Sequence, residues 1–137
     1  VSILGINKFK NKLDLVLTKI DDINIGQYGK VGGHHIHAKA AFKGHVSYDL
    51  NKGLSISQEL MEKMGWDHLK MTATQRRLFN ELAQSNVENT LEAHSQIAIK
   101  ALIAGGASEL EATYLVEQSL KNLAEQGVVA PTRIPWN

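Results

Sequence analysis

Gly32-Gly33-His34-His35-Ile36-His37 places three of the chain's six histidines within four residues. Two glycines ahead of a histidine doublet predict a tight backbone bend that delivers imidazoles to one small volume. Imidazole is the side chain best suited to bind a transition metal or to take a proton near neutral pH. Every ring brings a polar nitrogen that must be satisfied if it is buried. The cluster therefore predicts a catalytic or metal site, with a surface histidine run as the competing reading. Successive residues of an extended segment point to opposite faces. His34 and His35 can share one site only where the strand bends, and Gly32-Gly33 supplies a bend.

On the N-terminal side, Phe9, Leu13, Val16, Leu17 and Ile20 recur at helical spacing and predict an amphipathic helix over 8–20, with strand-like alternation across 13–17 as its rival. Gly26, Gly29, Gly32 and Gly33 mark a loop or hairpin carrying Tyr28, Lys30 and Val31. Beyond the histidines, Ala38 to Phe42 predicts a short helical turn, Gly44 to Asp49 an irregular stretch and Asn51-Lys52-Gly53 a turn. Four helices are expected after that. Ser57 caps the first, which stops at Gly65, and Thr72-Ala73-Thr74-Gln75 reads as a capping box opening the second. Thr90 caps the third, which ends at Gly105-Gly106. Ser108 caps the fourth, with Leu110, Thr113, Tyr114, Val116, Leu120 and Leu123 inside and Gly127 as its stop. The tail from Val128 to Asn137 holds both prolines and reads as extended. The pattern predicts an α+β, mostly helical domain with a small irregular or two-stranded insert around the histidines.

At 137 residues the chain is long enough for one cored domain and short for two, so residues 1–137 are expected to form a single domain. A net charge of +1 does not mark a nucleic-acid binder in bulk, and any polyanion site has to be a local patch. Lys30, Lys39, Lys43 and Lys52 supply a candidate, with no acidic residue between Lys30 and Asp49 and with Arg76 and Arg77 as possible extensions. With no cysteine, thiol catalysis and disulfides are excluded, and a zinc site must draw on other donors. No apolar run approaches the ~20 residues that span a bilayer. A first residue of Val rather than Met fits a processed product or a domain cut from a larger protein. His-Glu-x-x-His, Gly-x-Ser-x-Gly and the phosphate-cradling Gly-x-x-x-x-Gly-Lys motif are all missing.

The order of a glycine bend, a histidine doublet, a polar turn, a helix and a later isolated His68 resembles the HNH (His-Me finger, endonuclease VII-like) nucleases. Gly33 to Gly44, Tyr48-Asp49, Leu54-Ser55-Ile56-Ser57, His68 and Thr72 to Arg76 look like the HHH-type nuclease domains at the C-termini of bacterial polymorphic toxins of the contact-dependent inhibition and Rhs types. The tail Pro131-Thr132-Arg133-Ile134-Pro135-Trp136-Asn137 is similar to the end of such a toxin. The resemblance covers roughly residues 30–105. It implies a small ββα-metal insert with a helical bundle around it, and a metal-dependent endonuclease, with DNA favoured over RNA. It makes His35 the general base, His34 a ligand of one divalent ion or an orienting partner, and His68 a ligand of that ion, whether Mg, Zn or Ni. His37 is an extra histidine able to replace His34, and Asn51 is the nearest candidate by order for the asparagine of the HNH pattern. Lys39, Lys43 and Lys52 are then the nucleic-acid face. A toxin of this kind implies export within a larger surface or secreted protein, action in the cytoplasm of a target bacterium, and a cognate immunity protein.

Blander readings stand beside these. His45 fits a solvated loop, and His94 on an apolar helical stripe fits a buried, hydrogen-bonded histidine. For His68, packing beside Trp66 competes evenly with ligation. The alternative to an enzyme is a non-catalytic metal- or nucleic-acid-binding module with a structural histidine site. A closed zinc site normally takes four protein ligands, often thiolates, so three histidines and no cysteine favour an open coordination position.

Overall fold

The computed structural model describes residues 25–137, so the helix expected over 8–20 lies outside the described residues. In chain order the elements are β1 (Ile25–Gln27), α1 (Tyr28–Val31), β2 (His34–His35), a 3-10 helix (Lys39–Phe42), β3 (Leu54–Ile56), α2 (Gln58–Met64), α3 (His68–Gln84), α4 (Leu91–Ala104) and α5 (Glu109–Glu125). The described residues are α+β and mostly helical, with one small antiparallel sheet.

The sheet departs from a simple hairpin. β1 and β2 are neighbours in sequence, yet both pair with β3, which lies between them in the order β1-β3-β2. Ile56 faces Ile25 on one side and His34 on the other, while Ser55 faces Gly26 and His35. The glycines account for the difference. One helical turn at Tyr28–Val31 and positive φ at Gly32 and Gly33 (64° and 81°) swing β2 away from β1 and leave a slot for β3. A Cβ on Gly33 would overlap the Ile56 carbonyl oxygen, so only hydrogen fits where β2 meets β3.

Three helices start where the cap residues predict. Ser57, Thr90 and Ser108 accept hydrogen bonds from the backbone N–H of Leu60, Ala93 and Glu111, and Glu111 returns a bond to the Ser108 N–H. Each such cap contributes about 1 kcal/mol. The helix expected to open at Thr72 begins one turn earlier, because Asp67 caps it through the Lys70 N–H. His68 thereby becomes the first residue of α3, and Thr72 falls inside it on the next turn. In α5 the buried stripe is Ala112, Leu115, Val116, Ser119 and Leu123, rotated from the expected face, with Thr113, Tyr114 and Leu120 only partly covered.

Ile36, Ile56, Leu60, Met71, Leu102 and Leu115 form the centre of the main core, which fixes the sheet against α2 to α5. Burying each contributes about 1.5–3 kcal/mol. The tail is not extended. Thr132 donates from its backbone N–H to the Ala41 carbonyl and from its hydroxyl to the carbonyls of Ala41 and Lys43. Ile134 packs beside Phe79 and Ile97. The tail therefore crosses the 3-10 helix and returns to α3. No helix among the described residues is long and apolar enough to cross a membrane.

The two kinds of positive-φ glycine predict different costs. Gly44 has φ 84° with open space around it, so Gly44→Ala should lose about 1–2 kcal/mol from backbone strain. Gly33→Ala adds the overlap with Ile56 and should lose distinctly more, read as a lower midpoint in urea. Equal losses would remove the Gly33–Ile56 contact as the reason for this glycine.

Candidate functional site

His34, His35 and His37 are all buried, which rules out a surface histidine run. Strand β2 lasts only two residues between the glycine bend and a second bend at Ile36-His37. Short as it is, it lets His34 and His35 both line a pocket of about 210 Å³, together with Gly33, Ala38, Lys39, Ala40, His68, Thr72, Gln75 and Trp136.

His35 is held from two sides. Its Nε2–H donates to the Leu50 carbonyl at 2.8 Å, because a carbonyl oxygen can only accept. That bond fixes the neutral tautomer and leaves the Nδ1 lone pair free. The ring stacks on Tyr28, with centroids 4.3 Å apart and planes at 24°. Gly53 lies so close under the ring that a Cβ there would stand 2.9 Å from His35 Cδ2 and 2.7 Å from the Tyr48 hydroxyl. Burial lowers the His35 pKa, the Leu50 bond opposes that, and the Lys39 charge lowers it further. Lys39 Nζ sits 5.7 Å from the centre of the Tyr28 ring, so cation, phenol and imidazole form a continuous group.

His34 differs in its free nitrogen. Its Nε2 is buried and has no hydrogen-bond partner among the described residues. The His68 ring meets it edge-on, with centroids 5.0 Å apart. Burial first, then the neighbouring His68 and His35, push the His34 pKa down to about 3, so the ring is neutral at any ordinary pH. A neutral imidazole nitrogen without a partner, beside a second imidazole, is the kind of group that could donate to a metal ion. Among the described residues no group of three or more His, Cys, Asp or Glu could enclose one. The remaining positions around an ion at this pair would fall to water, substrate or the polar side chains of Thr72 and Gln75 on the pocket wall.

His37 does not face the pocket. Ser95 gives its hydroxyl proton to the Leu91 carbonyl, so its oxygen accepts from His37 Nε2–H at 2.9 Å. Ser119 then donates to Nδ1 at 2.6 Å. Both nitrogens are committed, which removes His37 as a substitute ligand. His94 is likewise structural: its Nε2–H donates to the Asn89 side-chain oxygen and its ring packs edge-on to Phe79. His45 is half-exposed and accepts from the Ser47 N–H.

Asn51 is exposed and does not line the pocket. Its backbone does the holding, with its N–H on the Asp49 carboxylate and its carbonyl accepting from Gly29 N–H at 2.8 Å. The lysines divide. Lys39 borders the histidine pocket and, with Lys43, a neighbouring cavity of about 420 Å³. Lys52 lines a separate cleft with Asn122 and Gln126, because the Asn122 amide ties the Lys52 carbonyl to α5. Tyr28, the Leu50 carbonyl, Gln75 and Trp136 escaped the sequence reading. Only Tyr28, set between Gly26 and Gly29 just before the histidines, carried a visible signal. Comparison with protein-family models, curated proteins and solved structures returns no match.

The buried neutral histidines carry a stability consequence. His34, His37 and His94 have pKa values lowered to about 3, 3 and 4, against about 6.5 when unfolded. The unfolded chain therefore binds more protons below pH 6.5, and stability falls with pH from there down to the folded values, by up to about 1.4 kcal/mol per pH unit for each histidine. Thermal unfolding in chelator should show a midpoint that is flat above pH 7 and falls steeply from pH 6 to pH 4. A flat midpoint across that lower range would contradict the burial argument.

Proposed function

We propose that this chain is a metal-dependent endonuclease, the nuclease domain of a bacterial polymorphic toxin, and that it hydrolyses phosphodiester bonds, DNA before RNA. One observation carries the reading: among the described residues His35 has one nitrogen anchored to a backbone carbonyl and the other without a partner, next to a second histidine whose buried nitrogen also has none. In this reading β2, β3 and α3 serve as the ββα-metal unit.

His35 acts as general base. Its Nδ1 takes a proton from water as the water oxygen attacks phosphorus, and the Leu50 carbonyl steadies the resulting imidazolium through Nε2–H. The bond from phosphorus to the leaving sugar oxygen breaks, and that oxygen gains a proton from solvent. Burial and Lys39 keep His35 deprotonated at neutral pH, the state a base needs. His34 and His68 would hold one divalent ion, which supplies Lewis-acid stabilisation of the charge on the phosphate and leaving oxygens. Lys39 borders the pocket as a phosphate contact, with Lys43 further along the same surface. Export within a larger protein, entry into a target cell and a cognate immunity protein belong to the same reading, and the last two set its cellular test.

His35→Ala should stay folded and lose cleavage of plasmid DNA by about 10²–10⁴-fold, the usual worth of a positioned base. Activity at the wild-type level in a folded His35→Ala protein overturns the assignment. Calorimetric titration with Zn²⁺ or Ni²⁺ should show a site that is lost or much weakened in His68→Ala, whereas unchanged affinity would mean that His68 only packs. Expression of the chain should arrest bacterial growth with loss of nucleic acid, and co-expression of the neighbouring gene should restore growth. Harmless expression of folded, metal-loaded protein would end the toxin reading.

A further inference from the structure

We propose that Trp136, braced by Arg76, is a stacking wall for an unpaired nucleobase, so that the histidine pocket receives its substrate as a single strand. The proposal rests on the nuclease reading of that pocket and adds the form of the nucleic acid. Trp136 lines the same pocket as His34, His35 and His68. The residue is 41% exposed, whereas Trp66 is 6% exposed in the core. The ring is fixed rather than loose. The Arg76 guanidinium carbon lies 4.7 Å from its centroid, and Phe79 meets it edge-on at 5.9 Å.

The backbone is held in place for this ring. Trp136 has φ 60°, the one non-glycine positive φ among the described residues. Strain of this kind costs about 1–3 kcal/mol and persists only where the surroundings impose it. The surroundings here are the Arg133 guanidinium donating to the Asn137 carbonyl, the Asn137 amide donating to the Pro135 carbonyl, and the Thr132 bonds to Ala41 and Lys43. Such a network holds a large flat ring at the pocket edge. Arg76 also has no carboxylate partner among the described residues, whereas Arg77 one position later pairs with Glu81. An aromatic face beside an uncompensated cation and next to a phosphate-cleaving pocket matches how single strands are gripped, by stacking of bases with backbone contacts alongside. A base inside a duplex presents no free face to such a wall.

The test uses tryptophan emission and affinity in chelator, so that no strand is cut. The probes are a ten-nucleotide oligothymidylate, an abasic strand of equal length and a duplex of the same length. On wild-type protein the oligothymidylate should quench emission and bind at least about fivefold more tightly than the abasic strand, and the duplex should not quench. Trp136→Leu should abolish the quench and bind both strands alike, and Trp136→Phe should restore the preference for bases. The abasic comparison needs no variant, so a misfolded substitution cannot mask the answer. Equal binding of oligothymidylate and abasic strand by wild type, or a base preference surviving in Trp136→Leu, overturns the stacking wall. Base-dependent quenching in a protein that cleaves nothing with any metal sinks the nuclease reading while upholding the wall. Cleavage without base-dependent quenching does the reverse.

Discussion

The site depends on a contact that admits no side chain. At Gly33 the backbone of β2 runs against the Ile56 carbonyl with room for hydrogen alone, and that contact fixes the register in which His34 faces Ile56 and His35 faces Ser55. Two residues further back along β3 lies Leu54, and before it Gly53, whose missing side chain lets the His35 ring settle within reach of the Leu50 carbonyl. The imidazoles are thus positioned by what two glycines leave out. Nothing in the rings themselves could set their orientation to within the few tenths of an ångström that a hydrogen bond to a carbonyl requires.

Histidines of one type divide by what their nitrogens touch. His37 and His94 are as deeply set as His34, and burial lowers all three pKa values. His37 has a serine hydroxyl on each nitrogen. Its tautomer is dictated by Ser95, whose own proton is spent on Leu91. A ring saturated in that way has no chemistry left to offer and serves as a polar tie between α4 and α5. His34 keeps a nitrogen with no partner among the described residues, and leaving a buried polar atom unpaired costs about 1–3 kcal/mol. Ser55 Oγ is likewise buried without a partner among the described residues, so what distinguishes His34 is that its ring lines the pocket beside His68.

This also explains how far the sequence could be read. Caps at Ser57, Thr90 and Ser108 and stops at Gly65 and Gly105 are local signals, because a side chain three residues away satisfies each helix end. The α+β character and the mostly helical second half were legible on that basis. The Thr72 box misled because Asp67, an equally good cap, stood five residues earlier. The role of His37 was hidden since Ser95 and Ser119 lie 58 and 82 residues away. The same holds for Leu50, which acts through its carbonyl, an atom common to every residue. The prolines predict an extended tail, while its path is set by Ala41 and Phe79, distant in sequence. Pairing of His34 with His68 was expected only through the family resemblance; spacing alone left packing beside Trp66 equally open.

Under the proposed nuclease reading, a chain of net charge +1 would meet a polyanion through the local electrostatics of the pocket. Lys39 lies over Tyr28, Tyr28 stacks on His35, and the one positive charge does two things at once. In the proposed reading it would attract phosphate, while burial and the Lys39 charge disfavour the protonated imidazole. A phosphodiester arriving there would change the balance. Its negative charge would offset Lys39 and raise the proton affinity of His35 as Nδ1 took a proton from water. The proposed base would then grow stronger because substrate had bound. A cation of this kind need not be one of many, and a distributed basic surface would add affinity without adding that coupling.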